Sequence, residues 1–133
     1  MGTRSITYVH DGGDKSPIII AMYRHLDGHF DSHGNDLVNF LSKKVLVNGI
    51  SGRDKHLDVA NGMGDLAAQL VCHFKQGCAV GGFYLNAFGD GDIDEEYTYR
   101  IYTSDDTLYL SGVSSETSFT KKFNSKKGEK ANH

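Results

Sequence analysis

Apolar and polar positions change period several times along this chain, and the changes mark out its elements. Residues 4–9 alternate, with Ile6 and Tyr8 on one side and Thr7 and Val9 on the other, as in a strand. The segment DGGDKS at 11–16 reads as a turn. Residues 17–24, PIIIAMYR, form a second strand, buried on both faces for part of its length. Its first position holds the chain's one proline, where a missing N–H is tolerated. Together these segments predict an N-terminal hairpin.

The pattern then changes. Residues 26–34, LDGHFDSHG, carry no period and read as a loop. Over 35–44 the apolar residues Leu37, Val38, Phe40 and Leu41 make a helical stripe, with Lys43 and Lys44 at the end where cations suit the dipole. Residues 45–57 read as loop with a brief strand at the start. The strongest helix covers 62–76: Met63, Leu66, Ala67, Leu70, Val71 and Phe74 recur at helical spacing, Asn61 or Gly62 can cap it, and Gly77 is placed to end it. Three strand-like runs follow at 79–85, 96–103 and 107–113, the last two joined by a tight turn at 104–106. The order is ββ-α-α-βββ. It predicts an α+β fold, an antiparallel sheet of about five strands with two helices packed on one face.

Composition bounds the picture. With 133 residues and 38% AVILMFWYC, the chain suits one domain. No run of apolar residues is long enough to span a membrane, and the N-terminus has no apolar signal core. Two cysteines, Cys72 and Cys78, are too few for a disulfide framework, so a cytosolic, cytoplasmic location is expected. Charge is uneven. Residues 1–118 carry nine Lys+Arg against sixteen Asp+Glu, whereas 119–133 carry five lysines and one glutamate. We therefore expect a single domain over 1–118 and a basic, flexible tail over 119–133. The acidic body argues against duplex nucleic acid as a partner.

Four groups could carry chemistry, of which the aromatic one, Phe83, Tyr84, Tyr97, Tyr99, Tyr102 and Tyr109, reads by default as core and cross-strand packing. His25, Asp27, His29, Asp31 and His33 alternate, and an extended loop would turn all five to one side, as a divalent metal requires. Gly28 and the loop composition oppose that geometry, and no metal or other cofactor is expected. The acidic run GDGDIDEE at 89–96 lacks the glycine and glutamate of a calcium loop, so it reads as a solvated turn. The strongest group is a pair of glycine-marked helix starts, His33-Gly34 and Asn61-Gly62-Met63-Gly64. Amide hydrogens there can meet an anion, and Arg24 and Arg53 supply guanidinium groups. Asp27 would accept from a ribose hydroxyl or hold Arg24 in place, and His33 would donate to the ligand. Ordinary capping and tight packing of these glycines remain the bland alternative.

MGTRS at the start, MYRHLDG at 22–28, SHG at 32–34, VNGI at 47–50 and ANGMGDLAAQLV at 60–71 carry a resemblance. The chain is similar to a family of small uncharacterised bacterial and phage proteins. The likeness covers about the first 85 residues, and more loosely GGFYL and EEYTY. The family's loop reads Y-R-x-x-D-G-Y-P-S-G-H-G. This chain matches at Tyr23, Arg24, Asp27, Gly28, His33 and Gly34 and departs at His29, Phe30, Asp31 and Ser32. The resemblance brings no activity with it. Accessory phage proteins of this size often block host defence, which implies a role in sequestering a nucleotide signal or capping an effector.

The expectation is therefore a binding protein for a small anionic, phosphate-bearing ligand such as a nucleotide, at Arg24, Asp27, His33, Gly34, Arg53, Asn61, Gly62 and Gly64. The alternatives are a metal-assisted phosphodiesterase using the His/Asp loop and a protein-binding inhibitor of a host effector. A homodimer is the expected assembly.

Overall fold

The fold was derived from a computed structural model, which describes residues 3–47, 59–75, 82–87, 95–105 and 107–123. The N-terminal hairpin forms as its alternation requires: β1 (Ser5–His10) and β2 (Ile18–Arg24) pair antiparallel, with a bulge between Val9 and His10. Ser16 closes the connecting turn, its hydroxyl donating to Gly13 O and accepting from Gly12 N–H.

The segment expected to be loop carries one turn of π-helix at Phe30–Gly34, running directly into α1 (Asn35–Ser42). Two short parallel strands follow, β3 (Val45–Val47) and β4 (Val59–Asn61). Next comes α2 (Gly62–Lys75), whose Met63, Leu66, Ala67 and Leu70 are buried, the stripe its periodicity predicts. The chain returns to the sheet as β5 (Phe83–Leu85), β6 (Tyr97–Ser104), β7 (Thr107–Ser114) and β8 (Ser118–Phe123).

The main sheet runs β5-β2-β1-β6-β7-β8. It differs from expectation in three ways. It has six strands rather than five, beside a separate two-stranded sheet of β3 and β4. It is mixed, because β1 and β6 lie parallel. And residues 118–123, mostly assigned to a flexible tail, form the edge strand β8, paired with β7 over six residues. Residues 124–133, Gly77 and most of the acidic run at 89–96 lie outside the described residues.

Both helices pack on one side of the sheet. Leu37, Phe40 and Leu41 of α1 and Leu66 and Leu70 of α2 share a core with Val9, Met22, Tyr99, Ile101 and Leu110. Two close backbone approaches fix the layers. A Cβ on Gly28 would lie 2.8 Å from Thr3 O and 2.7 Å from Ser5 Cβ. One on Gly112 would lie 2.3 Å from the Phe119 ring, which crosses the glycine from the neighbouring strand. Among the described residues no helix is long and apolar enough to cross a membrane.

Candidate functional site

Arg24 ends β2 on the helix-covered side, in register with Ser5 and Phe83. Its guanidinium lies 4.8 Å over the Phe83 ring, and its side chain is only 14% exposed. Nη1 donates to His33 Nδ1 at 2.9 Å and to Asp36 Oδ2 at 3.2 Å. Nε is buried and has no acceptor among the described residues. Such an orphan donor costs about 1–3 kcal/mol, so native structures rarely leave one.

His33 sits wholly inside, where the π-turn meets β1. Arginine can only donate, so Nδ1 of His33 accepts and Nε2 carries the hydrogen, donating to Thr7 Oγ1 at 3.0 Å. Burial, helped by the Arg24 charge, lowers its pKa to about 3. The ring is neutral and both its nitrogens are engaged. Tyr99 packs edge-on at 5.2 Å, its phenol donating to Gly28 O at 2.7 Å and held above its ordinary pKa by burial.

In front of Arg24 opens a polar groove of about 380 Å³. Asp36 and Asn39 of α1, His73 and Phe74 of α2 and Phe83 of β5 complete its lining. Asp36 is half exposed, so the carboxylate on Nη1 sits at the mouth rather than sealed within. An anion that replaced it would find two donor directions of one guanidinium, the fork that grips a phosphate by parallel bonds.

The structure rearranges the expected site. Arg24 and His33 do meet, but His33 supports the guanidinium instead of donating to a ligand. Asp27 is exposed with a left-handed φ of 58°; its backbone carbonyl accepts from His33 N–H, and the carboxylate on Arg24 is Asp36 instead. Gly34 is buried, and its amide donates to His29 O at 3.3 Å. The Asn35 amide likewise turns back onto Phe30 O and Ser32 O. The π-turn has used the amides that a fresh helix start would have offered. At the second start, Asn61 N–H donates to Asp65 Oδ2 at 2.8 Å, Gly62 has a left-handed φ of 84°, and a Cβ on Gly64 would meet nothing. None of Asn61, Gly62 and Gly64 lines the groove: the last turn of α2, not its first, approaches Arg24. Arg53 lies outside the described residues.

The alternating His/Asp loop is not extended, and its members scatter. His25 Nδ1 bonds the Tyr23 hydroxyl at 2.8 Å, His29 bonds Ser32, and His33 is buried. Among the described residues no three of His, Cys, Asp and Glu converge as metal ligands would. The sequence reading missed Asp36, Asn39 and His73. The available signal was helical phase: Asp36 and Asn39 flank the α1 stripe, and His73 precedes Phe74 at the end of the α2 stripe. No protein-family model, curated protein or solved structure matches the chain.

Proposed function

We propose that this protein binds a small phosphate-bearing ligand, of nucleotide type, in the groove before Arg24. Asp36 is the carboxylate that the ligand displaces. The observation that carries the reading is a mostly buried guanidinium whose carboxylate partner, Asp36, is half exposed where the groove opens. Phe83 beneath the cation and neutral His33 beside it hold it in one orientation without neutralising it. Asn39 and His73 add donors at the mouth, and Phe74 gives an apolar wall for the rest of the ligand. No hydrogen bond among the described residues orients His73 as a base, which favours capture over turnover. The resemblance to phage and bacterial proteins extends this reading to sequestration of a nucleotide signal.

Titration calorimetry tests it, using inorganic phosphate, a nucleoside monophosphate, a cyclic dinucleotide and the phosphate-free nucleoside. The reading requires saturable heat with at least one phosphate-bearing compound and none with the nucleoside. No heat from any of them would remove it.

A further inference from the structure

The sheet face turned away from the helices has its own chemistry. The registers place Tyr8, Tyr23, Tyr84, Tyr102 and Tyr109 on it, five of the chain's seven tyrosines. The other two, Tyr97 and Tyr99, pack against Phe30 on the helix side. Four of the five form two stacked pairs. Tyr102 and Tyr109 sit opposite each other on β6 and β7 with ring centroids 5.5 Å apart and planes 8° from parallel. Tyr23 and Tyr84 stack across β2 and β5 at 6.2 Å, with Tyr84 53% exposed.

Cations stand against the tyrosines of this face. Arg100 lies 4.7 Å over Tyr8 and donates to His10 Nε2. Lys122 of β8 is exposed and opposite Tyr109. Lys75 reaches round the β5 edge to stand 5.1 Å over Tyr84. No strand of the main sheet contains an Asp or Glu, although the chain as a whole has a net charge of -3. The strands of this sheet thus have three cations nearby and no carboxylate of their own, while the phenol pKa of Tyr102 is raised by burial and by Asp14 of the hairpin turn, which lies near it.

We infer that this face binds single-stranded nucleic acid. Unpaired bases stack on exposed aromatic rings without regard to sequence, and phosphates between them meet the cations. Adjacent strands lie about 4.8 Å apart, so the six-stranded face spans roughly 24 Å, room for several nucleotides. A duplex hides its bases, and a broad sheet cannot enter its grooves, so this surface selects unpaired strands. The inference is independent of the Arg24 groove, which opens on the opposite side.

The test is fluorescence anisotropy of a labelled oligothymidine of about 12 nucleotides at low salt. The chain has no tryptophan, so quenching of its tyrosine emission reports stacking directly. Binding should appear with quenching, and an unlabelled duplex should compete poorly. Tyr84→Ala should weaken it about tenfold. Lys122→Gln should lower the slope of log affinity against log salt by about one. Both side chains are exposed, so both variants fold. Lys43→Gln, at an exposed lysine just past α1 on the helix side and outside the Arg24 groove, should change nothing. Absence of binding, binding unaffected by both face variants, or salt-independent quenching by a neutral oligosaccharide instead would each overturn the inference.

Discussion

The guanidinium of Arg24 donates to Nδ1 of His33 at 2.9 Å, so a buried cation is held by a ring that must stay neutral. Protonating His33 would set two positive groups face to face inside the core and take from Nδ1 the lone pair that accepts from Arg24. The consequence is a pH dependence of stability. Below about pH 6.5 the unfolded chain takes up a proton at His33, and the folded chain refuses it until about pH 3. This contribution is complete above pH 6.5 and is lost as pH falls through that window, by about 1.4 kcal/mol per pH unit. Urea unfolding at pH 7, 6, 5 and 4 measures it. His33→Gln, which can still accept from Arg24 and donate to Thr7, should flatten the slope relative to the parent. An unchanged slope would place the acid sensitivity elsewhere.

Gly28 should tolerate no side chain. The added methyl of Gly28→Ala would press on Thr3 O, a backbone atom with no room to yield, beside the carbonyl that receives the Tyr99 phenol. A loss of about 1–3 kcal/mol in unfolding free energy is expected. Thermal melts check this, and a melting temperature equal to that of the parent would contradict the packing.

Gly64 should behave in the opposite way. It lies in the first turn of α2 with open space around it and no left-handed φ. Gly64→Ala removes conformational freedom from the unfolded chain and improves helix propensity, worth about 0.4–1 kcal/mol of stabilisation. The melting temperature should rise while phosphate-ligand affinity stays the same. A loss of affinity would restore the first turn of α2 as part of the site.

Much of the fold could be read locally. The apolar spacing from Met63 to Leu70 places α2 within a residue of its observed end, and the alternation around Tyr99 places β6. What could not be read is pairing between distant segments. The parallel contact of β1 with β6 joins residues more than 90 apart, and no turn chemistry announces it. β8 was hidden because its lysines look like a solvated tail, whereas Lys121 and Lys122 sit on an edge strand, where charge discourages further pairing. The site divides the same way. Arg24 and His33 stand out as residue types, but their mutual bond depends on the π-turn, which has no period of its own. Asp36 enters through helix phase, and His73 through the direction in which α2 crosses the sheet. The glycines at the helix starts misled because amides offered by an isolated helix had already been satisfied by the preceding turn.

On the proposed reading, Asp36 occupies the place of a ligand's anionic group on Arg24. Calorimetric titration of one phosphate-bearing ligand into the parent, Asp36→Asn and Arg24→Lys tests it most directly. Removing the competing carboxylate should raise affinity about fivefold, in keeping with a half-exposed ion pair worth roughly 1 kcal/mol. Replacing the forked guanidinium with an ammonium should lower it more than about tenfold. Equal affinity in all three proteins, or weaker binding when Asp36 loses its charge, would contradict the claim.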